Sequence, residues 1–360
     1  MSLPIRDELK NVSPYGAPQI DVPVKLNTNE NPYSPPPALV EAIAKNVAAI
    51  GANLNRYPDR DAVELRTSLA KYVLRDTGVA VSTEQIWAAN GSNEIMLQIL
   101  QAFGGPGRKA LTFSPTYSMY AEYARDTNTE FVSVSRREDF SVDAELILSA
   151  MSIHRPHVVF LTSPNNPTGT ALNLDVLDVI LKSVPNTIIV VDEAYAEFRR
   201  EGVDSAVSRV AKYSNLVVTR TMSKAFALAG VRLGYLISSA EMVAALQLVR
   251  LPYHLSSVTQ VVANTALGFA DELQKDLDQI RASRDEFVDW SGQNGFEAAQ
   301  SDANFVLLGQ FSDRHAAWQA LVDRGVLVRE VGPDHWLRIT IGTASEMEIL
   351  KKALLEVKGL

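Results

Sequence analysis

The chain reads as an α/β protein: a mostly parallel sheet flanked by helices, with an extended N-terminal arm before it and a smaller α+β domain after it. Two observations predict this. From about residue 86, short apolar runs alternate with helical segments, at 86–89, 110–113, 131–134, 158–162, 188–192, 216–219 and 233–237. Such alternation is the pattern of successive βα units. Several of the runs are also apolar at every position, as strands covered by helices on both faces must be. After about residue 240 the rhythm loosens, which marks the smaller unit.

The elements follow in order. Residues 1–37 are rich in Pro, Asn and Tyr and lack periodicity up to Pro35-Pro36-Pro37, so they read as an arm. A helix then carries Leu39, Val40, Ile43 and Val47 on one face, and a second across 61–75 turns Leu65, Leu69 and Val73 inward. Beyond the sheet, one long helical stretch is expected over 257–290, broken by Gly292 to Gly295. A strand at 304–308, a helix at 313–324, strands at 326–329 and 336–340, and a helix at 345–357 complete the chain. The division expected is an arm (1–37), a large domain (38–245) and a small C-terminal domain (246–360).

Composition narrows the function. A length of 360 residues supports a large core and two domains. A net charge of -8 argues against a nucleic-acid surface, because phosphate backbones attract basic faces. The absence of cysteine excludes disulfides, thiolate metal sites and a thiol nucleophile. The first ten residues carry charges where a signal peptide needs an apolar run, and no window reaches the ~18 apolar residues of a membrane helix. A cytoplasmic location is expected. The Gly104-Gly105-Pro106-Gly107-Arg108 run follows a helical segment rather than a strand, which speaks against a nucleotide-binding loop.

The chemistry gathers at the ends of the apolar runs, where open α/β sheets bind ligands. Lys224 sits among small hydroxyl residues after the run at 216–219, with Arg232 eight residues on. A lysine amine can condense with an aldehyde, while Thr221, Ser223 and Arg232 offer hydroxyls and a positive charge to a phosphate. An aldehyde and a phosphate on one small molecule describe pyridoxal 5'-phosphate (PLP). Asp192 ends an apolar strand and is costly to bury unless it meets a cation, such as a protonated pyridine nitrogen. The alternatives are an Asp192-Glu193 metal pair or a helix cap, and no His or second carboxylate cluster follows at ligand spacing.

Other candidates follow the remaining runs. Ser163-Pro164-Asn165-Asn166-Pro167-Thr168-Gly169 is a rigid turn able to aim Asn166 at a ring oxygen, and Tyr195 can donate to the same atom. Gly91-Ser92-Asn93-Glu94 opens a helix and can serve as an anion site, although a plain Ser cap is the simpler reading. Tyr117 suits stacking on a flat ring, or a place in the core. Arg329 and Arg338 each lie at the end of a short strand and suit capture of a carboxylate or phosphate, unless one of them pairs with Glu330.

In this order the motifs Asn166-Pro167-Thr168-Gly169, Asp192-x-x-Tyr195, Ser223-Lys224 with Arg232, and Arg338 resemble the fold-type I PLP-dependent aminotransferases of the aspartate aminotransferase superfamily. Within it, Ser13-Pro14-Tyr15-Gly16, Leu26-Asn27-Thr28-Asn29-Glu30-Asn31-Pro32, Asn55-Arg56-Tyr57-Pro58-Asp59 and the run from Ser223 to Gly230 look most like the histidinol-phosphate aminotransferase branch. The resemblance covers the chain from about Leu26 onward. It implies Lys224 as the Schiff-base lysine and proton carrier, Asp192 at the pyridine nitrogen, Asn166 and Tyr195 at the ring oxygen, and Tyr117 stacked on the ring. It places Ser92, Asn93, Thr221, Ser223 and Arg232 at the phosphate. Where the family often has Ala-Asp or Ser-Asp after the glycine, this chain has Ser92-Asn93, so no carboxylate acts at 93. Tyr57 is implied to reach the cofactor of a second subunit, hence a homodimer. Tyr15, Asn29, Arg329 and Arg338 would line the substrate pocket. The implied reaction is transamination between histidinol phosphate and 2-oxoglutarate. Rivals are an aromatic amino-acid aminotransferase and, less closely, a PLP-dependent decarboxylase of a phosphorylated amino acid. A PLP-sensing regulator would need a basic DNA-binding domain, for which there is no room before residue 26.

Overall fold

The computed structural model describes residues 3–10 and 12–358. In chain order its strands are β1 (Val24–Leu26), β2 (Ile86–Ala89), β3 (Lys109–Ser114), β4 (Glu130–Ser135), β5 (Val158–Thr162), β6 (Ile188–Asp192), β7 (Leu216–Thr221), β8 (Gly234–Ile237), β9 (Glu297–Ala298), β10 (Phe305–Gly309), β11 (Val326–Val328) and β12 (Leu337–Thr340). Seven form the central sheet, in the order β2-β8-β7-β6-β5-β3-β4. Only β8 runs against its neighbours. The rest are parallel, each reached through a crossover.

Residues along each strand alternate between two apolar layers, as a period of two demands. Val159, Leu161, Ile189 and Val191 face one buried cluster, while Val158, Phe160 and Val190 face the other. Both faces are covered, which is why these strands are apolar throughout. The parallel register also sets Thr162, Asp192 and Thr219 side by side on β5, β6 and β7. The polar ends of three strands thus form one row at the carboxyl edge of the sheet.

The structure departs from the sequence reading in four places. The stretch expected as one helix over 257–290 is two, Ser257–Leu267 and Ala270–Gln293, parted at Gly268. Glycine costs about 1 kcal/mol relative to alanine inside a helix, and the first helix ends with Gly268 in its C-cap position. Val40 does not share the buried face of the helix Pro37–Ile50; it is 51% exposed, and Leu39 is the buried residue. The arm is not wholly outside the layers, because β1 pairs in parallel with β11. Ser92 does not cap its helix: the helix begins at Gly91, with Asn90 in the cap position, and Glu94 accepts from both the Asn90 N–H and its side-chain amide. The remaining small sheet joins β12, β10 and β9 in antiparallel pairs.

Candidate active site

A pocket of about 250 Å³ opens at the carboxyl edge of the sheet. It brings together fourteen of the fifteen predicted site residues: Tyr15, Asn29, Ser92, Asn93, Tyr117, Asn166, Asp192, Tyr195, Thr221, Ser223, Lys224, Arg232, Arg329 and Arg338. Tyr57 is the exception. It is 80% exposed and stacks on Tyr253 with ring centroids 4.4 Å apart.

Lys224 is at the centre. Its amine donates to the Thr28 carbonyl at 2.9 Å, and it has no carboxylate partner among the described residues. Burial lowers its pKa to about 8, with Arg338 and Arg232 adding to the effect and Glu30 opposing it. An amine so placed is far closer to its neutral, reactive form at physiological pH than an ordinary lysine near 10.4.

Asp192 is fully buried at the end of β6. The Tyr120 hydroxyl lies 2.8 Å from its Oδ2, and Thr219 donates to its Oδ1 at 3.1 Å. Burial nonetheless raises its pKa from the ordinary aspartate value, with no cation among the described residues against it. The neighbouring Glu193 turns away and binds Arg220 at 2.9 Å, Ser205 at 2.7 Å and the Ala206 N–H at 2.7 Å. The two carboxylates diverge, so the metal-pair reading has no geometric basis.

On another wall, Asn165 holds the turn after β5. Its amide donates to the Pro115 carbonyl at 2.9 Å and to Thr168 at 2.8 Å, and its oxygen accepts from Thr116 at 2.9 Å. Asn166 is thereby free to enter the pocket, where its oxygen accepts from Arg338 at 2.6 Å. Tyr195 packs edge-on against Phe305 and accepts from Asn29 at 3.0 Å.

The phosphate end is built from the first turn of the helix Gly91–Phe103, whose unpaired N–H groups favour anions, together with Thr221, Ser223 and Arg232. Arg232 donates to Ser223 at 3.3 Å and meets no carboxylate among the described residues. Two glycines make room for this cradle. A Cβ on Gly91 would lie 2.8 Å from Arg232 Nη2, and one on Gly234 would lie 2.2 Å from the Ser92 nitrogen. The substrate end has Arg338 on β12, bonded to Asn166 and to the Asn27 carbonyl at 2.6 Å, and Arg329, bonded to the Gly16 carbonyl at 3.3 Å. Neither pairs with Glu330, which binds Arg314 and His315 instead. Arg338 Nε and Arg329 Nη1 are buried without any partner.

The site fits the cofactor that its motifs implied. A buried carboxylate lacks a cation, a buried amine lacks an acid, and a helix start with one arginine lacks an anion. A pyridinium, an aldehyde and a phosphate answer each of these in turn. Sequence reading missed Tyr120, Thr162, Thr219 and the Thr28 carbonyl. The first three could have been found from the strand-end row, but only if the sheet register had been known.

An α/β sheet with a lysine-centred pocket of this kind defines a PLP-dependent aminotransferase. Residues 21–354 match the model of the family Aminotransferase class I and II, and the chain belongs to that family. Its cofactor is pyridoxal 5'-phosphate. Among curated relatives it is 59% identical to the histidinol-phosphate aminotransferase of Thermobifida fusca (strain YX) over 357 residues, covering 99% of this chain and 96% of the other. It is 51% identical to the histidinol-phosphate aminotransferase of Mycobacterium avium (strain 104), covering 98% and 88%. The structure superposes on the histidinol-phosphate aminotransferase of Sinorhizobium meliloti, solved in complex with pyridoxal-5'-phosphate, with a TM-score of 0.83 at 25% identity, over 93% of this chain and 91% of that one.

Proposed function

We propose that the chain transfers an amino group from L-histidinol phosphate to 2-oxoglutarate, giving imidazole-acetol phosphate and L-glutamate, a step of histidine biosynthesis. One observation carries the choice of an anionic substrate: two arginines, Arg329 and Arg338, face the pocket with buried nitrogens unpartnered and no carboxylate against them. The names of the relatives support histidinol phosphate in particular.

Bound PLP supplies the aldehyde that takes up the amino group and an electron-poor ring that stabilises negative charge at the neighbouring carbon. The chain supplies the rest. Lys224 Nζ would take the proton from the substrate's α-carbon and deliver it to the carbon that carried the cofactor's aldehyde, which requires the neutral amine. The Thr28 carbonyl offers that amine a resting place at 2.9 Å when it is not engaged. Asp192 would face the ring nitrogen and keep it protonated, Asn166 and Tyr195 would bind the ring oxygen, and Tyr117 would cover the ring. Ser92, the Asn93 backbone, Thr221, Ser223 and Arg232 would hold the cofactor's phosphate. Arg329 and Arg338 bind the phosphate of one substrate and the carboxylate of the other in turn, with Tyr15 and Asn29 beside them.

Tyr57 belongs to this reading through a second copy of the chain. It is exposed and outside its own pocket, which suits a homodimer in which it serves the partner's cofactor. A cytoplasmic location and the expected division at residues 37 and 245 are parts of the same proposal. Among the described residues no helix is long and apolar enough to cross a membrane.

The test compares kcat/KM for histidinol phosphate, phenylalanine and tyrosine with 2-oxoglutarate as acceptor, while monitoring carbon dioxide. A clear preference for histidinol phosphate supports the proposal. A preference for the aromatic amino acids, or carbon dioxide release, replaces it with one of the two rivals.

A further inference from the structure

Tyr120 lies on the helix Met119–Asp126, one turn beyond Tyr117. Its ring is fixed by stacking on Phe160, with centroids 4.6 Å apart, and by edge contact with Tyr117 at 5.6 Å. Its hydroxyl is 2.8 Å from Asp192 Oδ2 and 2.9 Å from Thr162 Oγ1. Thr162 is 3.2 Å from Thr116 Oγ1, which donates to Asn165 Oδ1 at 2.9 Å. A chain of hydroxyls therefore runs from the carboxylate at one end of the pocket to the turn that presents Asn166 at the other.

Counting hydrogens gives this chain a direction. An ionised carboxylate only accepts, and each hydroxyl donates once. When Asp192 is neutral, its proton donates to Tyr120, Tyr120 to Thr162, Thr162 to Thr116 and Thr116 to Asn165, so every contact is filled. When Asp192 is charged, the Tyr120 hydrogen must turn to the carboxylate, and Thr162 has one hydrogen for two neighbours. Tyr120 is buried and stays protonated, so it can do either.

We propose that Tyr120 is a positioning residue of the reaction: its hydroxyl turns from acceptor to donor toward Asp192 when the ring nitrogen arrives, and so aims the charged carboxylate at it. This rests on the assignment of Asp192 to the ring nitrogen. Burial without a cation already holds Asp192 toward its neutral form, as the acceptor state of the switch requires.

The test uses Tyr120→Phe, which keeps the ring and its stacking. Enzyme is stripped and rebuilt with PLP or with a carbocyclic analogue whose ring nitrogen is replaced by CH, and both dissociation constants are measured. Wild type prefers PLP. Loss of one hydrogen bond to a charged group should cut that preference by about tenfold or more, with affinity for the analogue changed by less than about twofold. An unchanged preference overturns the proposal, and so does an equal loss for both ligands, which marks a merely structural role. If wild type itself shows no preference, the Asp192 assignment fails, and this inference with it. Should Tyr120→Phe not fold, Thr162→Val is measured in the same way. It leaves Asp192 as the sole acceptor for Tyr120, so the preference is expected to hold, and a tenfold fall overturns the proposal.

Discussion

Two buried charge clusters lie back to back in this protein, and they are built on opposite rules. Behind the sheet edge, Arg220 is fully buried and meets Asp76 at 2.7 Å, Glu193 at 2.9 Å and Glu197 at 3.8 Å. In front of it, Lys224, Arg338 and Asp192 are buried or half-buried and Arg232 is exposed, and among the described residues none of the four has an opposite charge in contact. The same strands make both. On β7, Thr219 and Thr221 turn toward the pocket while Arg220 between them turns away, and the adjacent Asp192 and Glu193 divide in the same manner. A protein that matches its own charges on one side and leaves them unmatched on the other reserves the second for a ligand.

The largest effect expected is at the pocket's centre. Lys224→Ala should lower kcat by at least about 10³-fold, since it removes the base that moves the α-proton. Borohydride reduction followed by mass spectrometry should then find no pyridoxyl group at position 224, whereas wild type carries one there.

Next comes a pair of substitutions that sets the clusters against each other. Arg220→Met leaves Glu193 and Glu197 without a cation and Asp76 with Arg199 alone, and should cost about 3–5 kcal/mol of stability, seen as a fall in Tm. Arg338→Met removes a cation that had no acid partner. The Tm of the cofactor-free protein should stay level or rise, while KM for both substrates rises. Equal losses of stability in the two variants would erase the distinction.

Asp192→Asn sharpens the contrast further. PLP affinity should drop by about 10²-fold, as expected for breaking a buried charge pair, while the cofactor-free protein loses little stability. Burial opposes the charge there until a cation arrives.

The smallest effect is on pH. With its pKa lowered to about 8, Lys224 is protonated below that pH and neutral above it. The rate at which cofactor-free protein captures PLP should rise with pH and level off above about 8. Continued increase toward ~10.4, the value for an ordinary lysine, would show that burial is not acting on it. The same shift means that the folded state carries an unfavourable buried charge below pH 8. That penalty is relieved between about 8 and ~10.4, where only the unfolded chain still binds the proton.

Much of this was legible in the amino-acid order. Strands buried on both faces are continuous apolar runs, and most candidate residues follow one of those runs, so local pattern pointed to the class of fold and singled out the lysine, the aspartate and the asparagine turn as candidates. Tertiary structure decided what pattern cannot carry. Tyr120 reads as one more aromatic residue of a helix until the sheet register sets Thr162 beside Asp192. Glu193 reads as a twin of Asp192 until the alternation of the strand end sends it to Arg220. Arg329 and Glu330 read as an ion pair until Arg314 claims the glutamate. Tyr57 reads, through the resemblance, as a residue for a second subunit's cofactor, and only the fold shows that it lies outside its own pocket. In each case the deciding contact joins residues far apart in the chain, and the strength of a buried charge depends on which neighbours the fold brings within a few ångströms.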